Sequence, residues 1–271
     1  MTNENIEIQC LLEAIYKKYG YDFRDYSDAS IKRRLQFVLS KSDAGNYANL
    51  MHELLEDSNL FDSLLLELTV NVTEMFRDPS FYTAVRKTVI PILKTYPRIK
   101  IWHAGCSSGE EVYSMAILLK EENLLNKSTI YATDINEKVL MKAKEGLYPL
   151  DHIKAYTSNY QKAGGSESFA DYYTARSDGA LMKNDLKKNI VFSQHNLVTD
   201  GVFSEIHLVI CRNVLIYFNK KLQDRSIGLF YESLIRKGIL CLGSKETVRF
   251  SGYENNFNNL VEKEKIFQKK N

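Results

Sequence analysis

The sequence predicts an α/β protein: a doubly wound, mostly parallel sheet carrying a small inserted β subdomain, preceded by a small all-α domain. Three observations lead to this expectation. From Ile99 onward, short apolar runs alternate with segments of helical period. Before about residue 70, apolar residues recur only at helical spacing, with little glycine. Between about Leu147 and Lys188 the alternation stops in a polar stretch, too long for an ordinary loop in a compact domain.

The elements follow in order. Leu11, Leu12, Ile15 and Tyr19 share one helix face, and Leu50, Leu54 and Leu55 another. Ser30 is placed to cap a helix containing Ile31, Leu35, Val38 and Leu39. Asp78-Pro79 starts a further helix, with Asp as N-cap and Pro in the first turn, ending before Pro97. Ile99–His103 is a strand, followed by a glycine-bearing turn and a helix carrying Tyr113, Ala116, Ile117 and Leu119. Thr129–Thr133 is the second strand, with a helix from Asn136 to about Gly146. Asn189–Ser193 and Ile206–Cys211 are the third and fourth strands. A long helix is expected from Lys220 to Arg236, then a strand over Ile239–Leu242 and a closing strand pair. Such alternation gives a parallel sheet covered on both faces. The domains expected are residues 1–70, a linker 71–79, and residues 80–271 with the insertion at about 147–188, read as short strands.

Composition narrows the class. The chain has 271 residues, is 44% hydrophobic and 26% charged, and carries a net charge of +2, which gives no general attraction to nucleic acid or membrane. The four cysteines stand far apart with no CxxC pair, and the five histidines are scattered. This pattern predicts no disulfide framework and no metal. The polar N-terminus has no signal-like segment, and no run approaches the ~20 apolar residues of a membrane span. The reading is a cytoplasmic protein.

The turn Ala104-Gly105-Cys106-Ser107-Ser108-Gly109 follows the first strand, where doubly wound sheets bind ligands. Its glycines allow close approach of backbone and ligand. Glu110 and Glu111 open the next helix. They would repel a pyrophosphate seated there and suit a cofactor with a cationic centre, such as the sulfonium and amino groups of S-adenosylmethionine. Complementing the helix dipole is the other explanation. Asp134, at the tip of the second strand, is placed either to accept from both ribose hydroxyls or to cap the following helix. Turn and acid together leave nicotinamide, flavin and methyl-donor cofactors open.

Four motifs, in order, then narrow the choice. Asn71-Val72-Thr73-Glu74-Met75-Phe76-Arg77-Asp78-Pro79, Ala104 to Glu111, Ala132-Thr133-Asp134-Ile135, and Cys211-Arg212-Asn213-Val214-Leu215-Ile216-Tyr217-Phe218 resemble the chemotaxis receptor methyltransferases, the CheR family. The resemblance extends through the helical N-terminal domain. It implies a class I, Rossmann-like methyltransferase that transfers a methyl group from S-adenosylmethionine to receptor glutamates, leaving S-adenosylhomocysteine. It implies cofactor contacts at Asn71, Thr73, Arg77, Ala104, Gly105, Glu111, Asp134, Asn196, Leu197, Arg212 and Asn213. Arg77 and Tyr217 match the positions closest to the transferred methyl. Departures are Val112 where many members have proline, Gly243-Ser244-Lys245-Glu246 in place of Gly-His-Ser-Glu, and a poorly matching stretch from Ala155 to Lys188. Tethering to a receptor's C-terminal peptide, which some members perform with that subdomain, is therefore not carried over.

The implied chemistry suits the residues. A glutamate carboxylate, with an ordinary pKa of about 4.3, is already ionised at neutral pH, so no general base is required. Arg77 is suited to hold one carboxylate oxygen, unless it only pairs with Asp78 or Glu74. Tyr217 is suited to line the methyl channel, unless it is a core aromatic. Cys211-Arg212-Asn213-Val214 stands where enzymes acting on amide or amino nitrogens often carry Asn-Pro-Pro-Tyr; an arginine there favours an anionic acceptor. Lys32, Arg33 and Arg34 form a basic stretch, read either as a solvated helix face or as a docking site for the acidic helical cytoplasmic region of a chemoreceptor. No nucleic-acid partner is expected. The chain is read as a monomer that meets a membrane only through its receptor. Two rival readings keep the cofactor: a methyltransferase for a small carboxylic acid, and a non-catalytic S-adenosylmethionine-binding regulatory module.

Overall fold

A computed structural model describes residues 2–69, 73–203 and 205–270. The chain divides into two compact units, residues 1–70 with 217–226, and residues 71–216 with 227–271.

The first unit is built on four helices: α1 (Asn3–Tyr19), α2 (Asp28–Lys41), α3 (Tyr47–Glu56) and α4 (Ser58–Leu68). Each begins at a side chain that accepts from the first turn: Thr2, Ser27, Asn46 and Asp57. The cap of α2 is thus Ser27 rather than Ser30. Ser30 lies within the first turn, where its own N–H is the one Ser27 caps. The apolar stripes meet in a core of Leu11, Ile15, Phe23, Leu35, Leu50 and Leu64. Tyr19 and Phe61 stack at 3.8 Å across α1 and α4.

The second unit starts with α5 (Pro79–Ala84), which runs through a π turn at Val85–Val89 into α6 (Ile90–Lys94). Pro91 explains the irregularity: it offers no N–H, and the Ile90 N–H reaches five residues back to Val85 O. Asp78 occupies the N-cap position of α5 but makes no side-chain cap; its carboxylate is used by Arg212 instead.

Then follow β1 (Ile99–Ala104), α7 (Glu110–Glu121), β2 (Ser128–Asp134) and α8 (Glu137–Glu145). The insertion holds β3 (Leu147–Tyr148), α9 (Ile153–Lys162), β4 (Tyr173–Arg176), β5 (Gly179–Met182) and the short α10 (Asn184–Lys187). The chain closes with β6 (Ile190–Gln194), β7 (Ile206–Cys211), α11 (Lys220–Ser233), β8 (Leu234–Leu242), β9 (Phe257–Val261) and β10 (Ile266–Lys269). The main sheet has the order β6-β2-β1-β7-β8-β10-β9. Its first five strands are parallel and β10 is antiparallel to both neighbours. From β1 the chain winds outward to β2 and β6, then returns to the other side of β1 at β7. The switch point therefore lies between the carboxyl ends of β1 and β7.

Two expectations need correction. α11 stops at Ser233, because the chain passes directly into β8, which is longer than foreseen. The insertion does form a three-stranded antiparallel sheet, β3-β5-β4, but it also contains α9. That helix buries only Tyr156 and Tyr160, too few apolar positions for a periodic signal. Tyr160 meets Phe76 and Phe169 edge-on and at a tilt, at 5.2 and 5.5 Å. Its hydroxyl donates to the buried carboxylate of Glu121 on α7, which also accepts from Tyr172 and pairs with Arg86.

Candidate functional site

The turn after β1 is shaped by three left-handed residues, Gly105, Ser107 and Gly109, with φ of 77°, 51° and 93°. Gly105 and Cys106 donate their N–H groups to Thr133 O at 2.8 and 2.9 Å, tying the turn to the end of β2. A Cβ at Gly105 would stand 2.5 Å from Val214 Cγ2. Glycine is thus required twice there, by φ and by the neighbouring β7 loop.

Asp134 is buried at the tip of β2. One oxygen accepts from Ser107 N at 2.9 Å and the other from Asn136 N at 3.0 Å. It does not cap α8, which Asn136 does by accepting from Lys138 N. Burial pushes the Asp134 carboxyl up, against the pull of its backbone donors. A carboxylate has more lone-pair sites than these backbone donors fill, and the buried Ser107 Oγ has no partner among the described residues.

The two glutamates differ sharply. Glu110 is buried, accepts from Ser108 Oγ at 2.7 Å, and is pushed up to about 7 by burial. Glu111 is opposed by burial, but His103 and Arg212 outweigh it and hold its carboxyl below the ordinary value. Arg212 donates to Glu111 Oε2 at 2.8 Å, and His103 Nδ1 lies 3.4 Å from Oε1.

Arg212, at the end of β7, is the hub. Its side chain is 2% exposed. It also donates to Asp78 Oδ2 at 2.6 Å and to Arg77 O at 3.4 Å, and its guanidinium lies 4.1 Å from the Phe81 ring centroid. Three separate stretches, the segment before α5, the start of α7 and the end of β7, are thereby fixed on one guanidinium. Phe76 N–H adds a bond to Ser114 Oγ at 2.8 Å, and Asn159 Nδ2 donates to Met75 O at 3.2 Å.

Sequence reasoning missed Glu246 as an organiser. Its buried carboxylate accepts four backbone N–H groups: Gly243 and Asn213 on one oxygen, Val214 and Ile216 on the other. Asn213 itself is left-handed, at φ 61°. Glu246 was visible only as part of a departing tetrapeptide; no local signal tells that its donors come from a loop 30 residues away.

The remaining candidates are spread out. Asn196 and Leu197 follow β6, where Asn196 Oδ1 accepts from Val198 N at 2.9 Å and Leu197 is buried. Thr73 and Arg77 are half-buried before α5. Asn71 lies outside the described residues. Tyr217 belongs to the helical unit. In that unit Lys32 pairs with Glu4, Arg33 is exposed, and Arg34 is half-buried with three acceptors of its own.

These residues fit S-adenosylmethionine. A glycine turn at the switch point, an acid with acceptor capacity at the tip of β2, and an ionised Glu111 at the start of α7 supply room for the ligand and carboxylate acceptors for ribose hydroxyls and a cationic amino acid moiety. No phosphate-binding basic residue faces the turn among the contacts of the described residues.

Two family models match: the CheR methyltransferase all-alpha domain over residues 6–69, and the CheR methyltransferase SAM binding domain over residues 71–266. The protein named Cher3 in Pseudomonas putida is 55% identical over 267 residues, 98% of either chain. A chemotaxis protein methyltransferase of Borreliella burgdorferi is 31% identical over 258 residues, 90% of this chain and 88% of that one. One of Listeria monocytogenes is 28% identical over 236 residues, 86% and 87% of the two chains. With both halves of the molecule matched, this chain belongs to the CheR methyltransferase family and is an S-adenosylmethionine-dependent methyltransferase.

Proposed function

We propose that the chain methylates glutamate side chains of a chemoreceptor-like signalling protein, giving glutamate methyl esters. The observation that carries this reading is the Arg212 hub. It seats the backbone of Arg77 and the carboxylate of Asp78 at the carboxyl end of β7, beside the turn after β1. An arginine-bearing segment there suits an anionic acceptor. The names of the Borreliella and Listeria relatives support the same pathway.

Bound S-adenosylmethionine supplies an electrophilic methyl group on a cationic sulfur. In this reading Thr73, Arg77, Ala104, Gly105, Glu111, Asp134, Asn196, Leu197, Arg212 and Asn213 hold it, with Asn71. The acceptor carboxylate is already ionised, so the protein's task is alignment and exclusion of water. Arg77 holds one carboxylate oxygen by charge-assisted hydrogen bonds and leaves the other to attack. Tyr217 lines the channel. Arg33, with Lys32 beside it, gives the helical unit a basic face for an acidic helical partner, while Arg34 of the same stretch is turned inward onto Ser30, Glu67 O and Leu68 O. The protein acts as a monomer in the cytoplasm and reaches the membrane through its receptor.

The test is acceptor choice. Membranes carrying chemoreceptors of the same organism, and a panel of small carboxylic acids, are offered to the protein with labelled cofactor. Label on receptor glutamates, mapped by tandem mass spectrometry, is expected. Label only on small acids contradicts the reading.

A further inference from the structure

We propose that Arg34 is a positioning residue for Tyr217, holding the ring in the orientation that the methyl-transfer step uses. This rests on the reading of Tyr217 as a lining of the methyl channel.

The stretch Tyr217–Asn219 is held by the loop between α1 and α2. Ser27 N donates to Tyr217 O at 2.8 Å, and Asn219 N donates to Asp25 O at 3.0 Å. Tyr26 and Phe218 form an antiparallel bridge between these bonds, their rings edge-on at 4.9 Å. Asn219 Nδ2 adds a bond to Asp25 Oδ1 at 3.2 Å. The backbone of Tyr217 is thus fixed on both sides by residues of the helical unit.

The ring is fixed by Arg34, whose guanidinium carbon lies 5.0 Å from the Tyr217 ring centroid. That guanidinium is itself anchored. Its Nε donates to Ser30 Oγ at 3.2 Å, and one terminal nitrogen donates to Glu67 O at 2.7 Å and Leu68 O at 3.3 Å. These are carbonyls of the last turn of α4, which has no further helical donors to offer them. From that turn the chain runs on into the stretch that carries Thr73 and Arg77.

One planar group therefore spans α2, the end of α4 and the Tyr217 ring. Burial lowers the Arg34 pKa from its ordinary value, as befits a group turned inward. Arg33, its neighbour, is exposed and is the better placed for an external partner. Lysine cannot reproduce the arrangement: an ammonium is a point charge without the planar face and the fork.

That difference makes the test. Full-length wild type, Arg34→Lys, Arg34→Gln, Tyr217→Ala and the double variant Arg34→Gln/Tyr217→Ala are compared. For each, kcat and acceptor KM on chemoreceptor-bearing membranes, cofactor Kd by calorimetry, and melting temperature are measured. Both Arg34 variants are expected to lower kcat on the order of tenfold or more, with acceptor KM and cofactor Kd within about twofold of wild type. The double variant is expected to fall short of the product of the single effects. Wild-type kcat in Arg34→Lys with a salt-dependent rise in KM in Arg34→Gln overturns the proposal and makes Arg34 a docking charge. A loss of kcat matched in full by lost melting temperature and restored by cooling also overturns it. Wild-type kcat in Tyr217→Ala overturns the underlying reading of Tyr217, whatever Arg34 does.

Discussion

Glu110 and Glu111 are neighbours in sequence with opposite electrostatic fates. Glu111 has Arg212 and His103 and stays ionised; Glu110 has one serine hydroxyl and is buried. With its pKa raised from 4.5 to about 7, folded Glu110 binds more protons than unfolded Glu110 between those values. Stability from this group therefore falls as pH rises from about 4.5 to about 7. Glu110→Gln removes the penalty. Its melting temperature is expected to match wild type near pH 4.5 and exceed it at pH 8, by the equivalent of about 3 kcal/mol at most. A gain that does not grow with pH contradicts this. Arg77→Ala, at saturating cofactor, is expected to lose about a hundredfold in kcat, the scale of one transition-state donor. A near wild-type rate in that variant refutes the role given to Arg77. Glu246 is a third case. Glu246→Gln turns an NH2 group toward two backbone N–H donors, which is expected to cost about 1–3 kcal/mol and to weaken cofactor affinity. Thermal melts with and without cofactor check both; an unchanged melt makes the four-donor arrangement dispensable.

Among the elements, what was legible depended on where the stabilising partners lie. β1, β2 and β7 were readable as short apolar runs because both faces of each are covered. α1 to α3 were readable because each buries a single stripe, while α4 was expected only as part of a generally helical region. Helix starts were legible only in part: Asp78-Pro79 does open α5, but the Asp78 carboxylate serves Arg212 instead of capping, and Ser27 rather than Ser30 caps α2. α9 was invisible because its anchors are tyrosines on a polar helix, held by Phe76 and Glu121 from distant segments. The site was legible in parts. The glycine turn and the acid of β2 showed as a nucleotide-type site, and the family resemblance narrowed it to a methyl donor. The Arg212 hub could not be read, since it joins positions 77, 78, 111 and 212 only once the sheet is formed. The turn itself is testable. Gly105→Ala places a Cβ 2.5 Å from Val214 at φ 77°, and is expected to cost 1 kcal/mol or more, roughly the strain of a left-handed residue, and to impair cofactor binding. Calorimetric affinity equal to wild type contradicts a close-packed turn.

For the whole molecule, the division of labour is not the division of sequence. Residues 217–226 lie between β7 and β8 in the chain, yet they pack with the N-terminal helices. The helical unit therefore owns part of the segment that carries Tyr217, as well as the exposed Arg33. In the proposed function, docking through Arg33 is electrostatic and belongs to encounter rather than chemistry. Arg33→Glu is expected to raise acceptor KM at low salt, leave kcat unchanged, and lose its effect as salt rises and screening shortens. A salt-independent defect contradicts docking by charge. The bond that the enzyme makes identifies the acceptor group. Chemoreceptor-bearing membranes are incubated with the protein and S-adenosylmethionine tritiated in its methyl group, washed, and treated with alkali. A carboxyl methyl ester releases its label as volatile methanol, and that release is the predicted result; label that stays on the acceptor through alkali would contradict glutamate esterification.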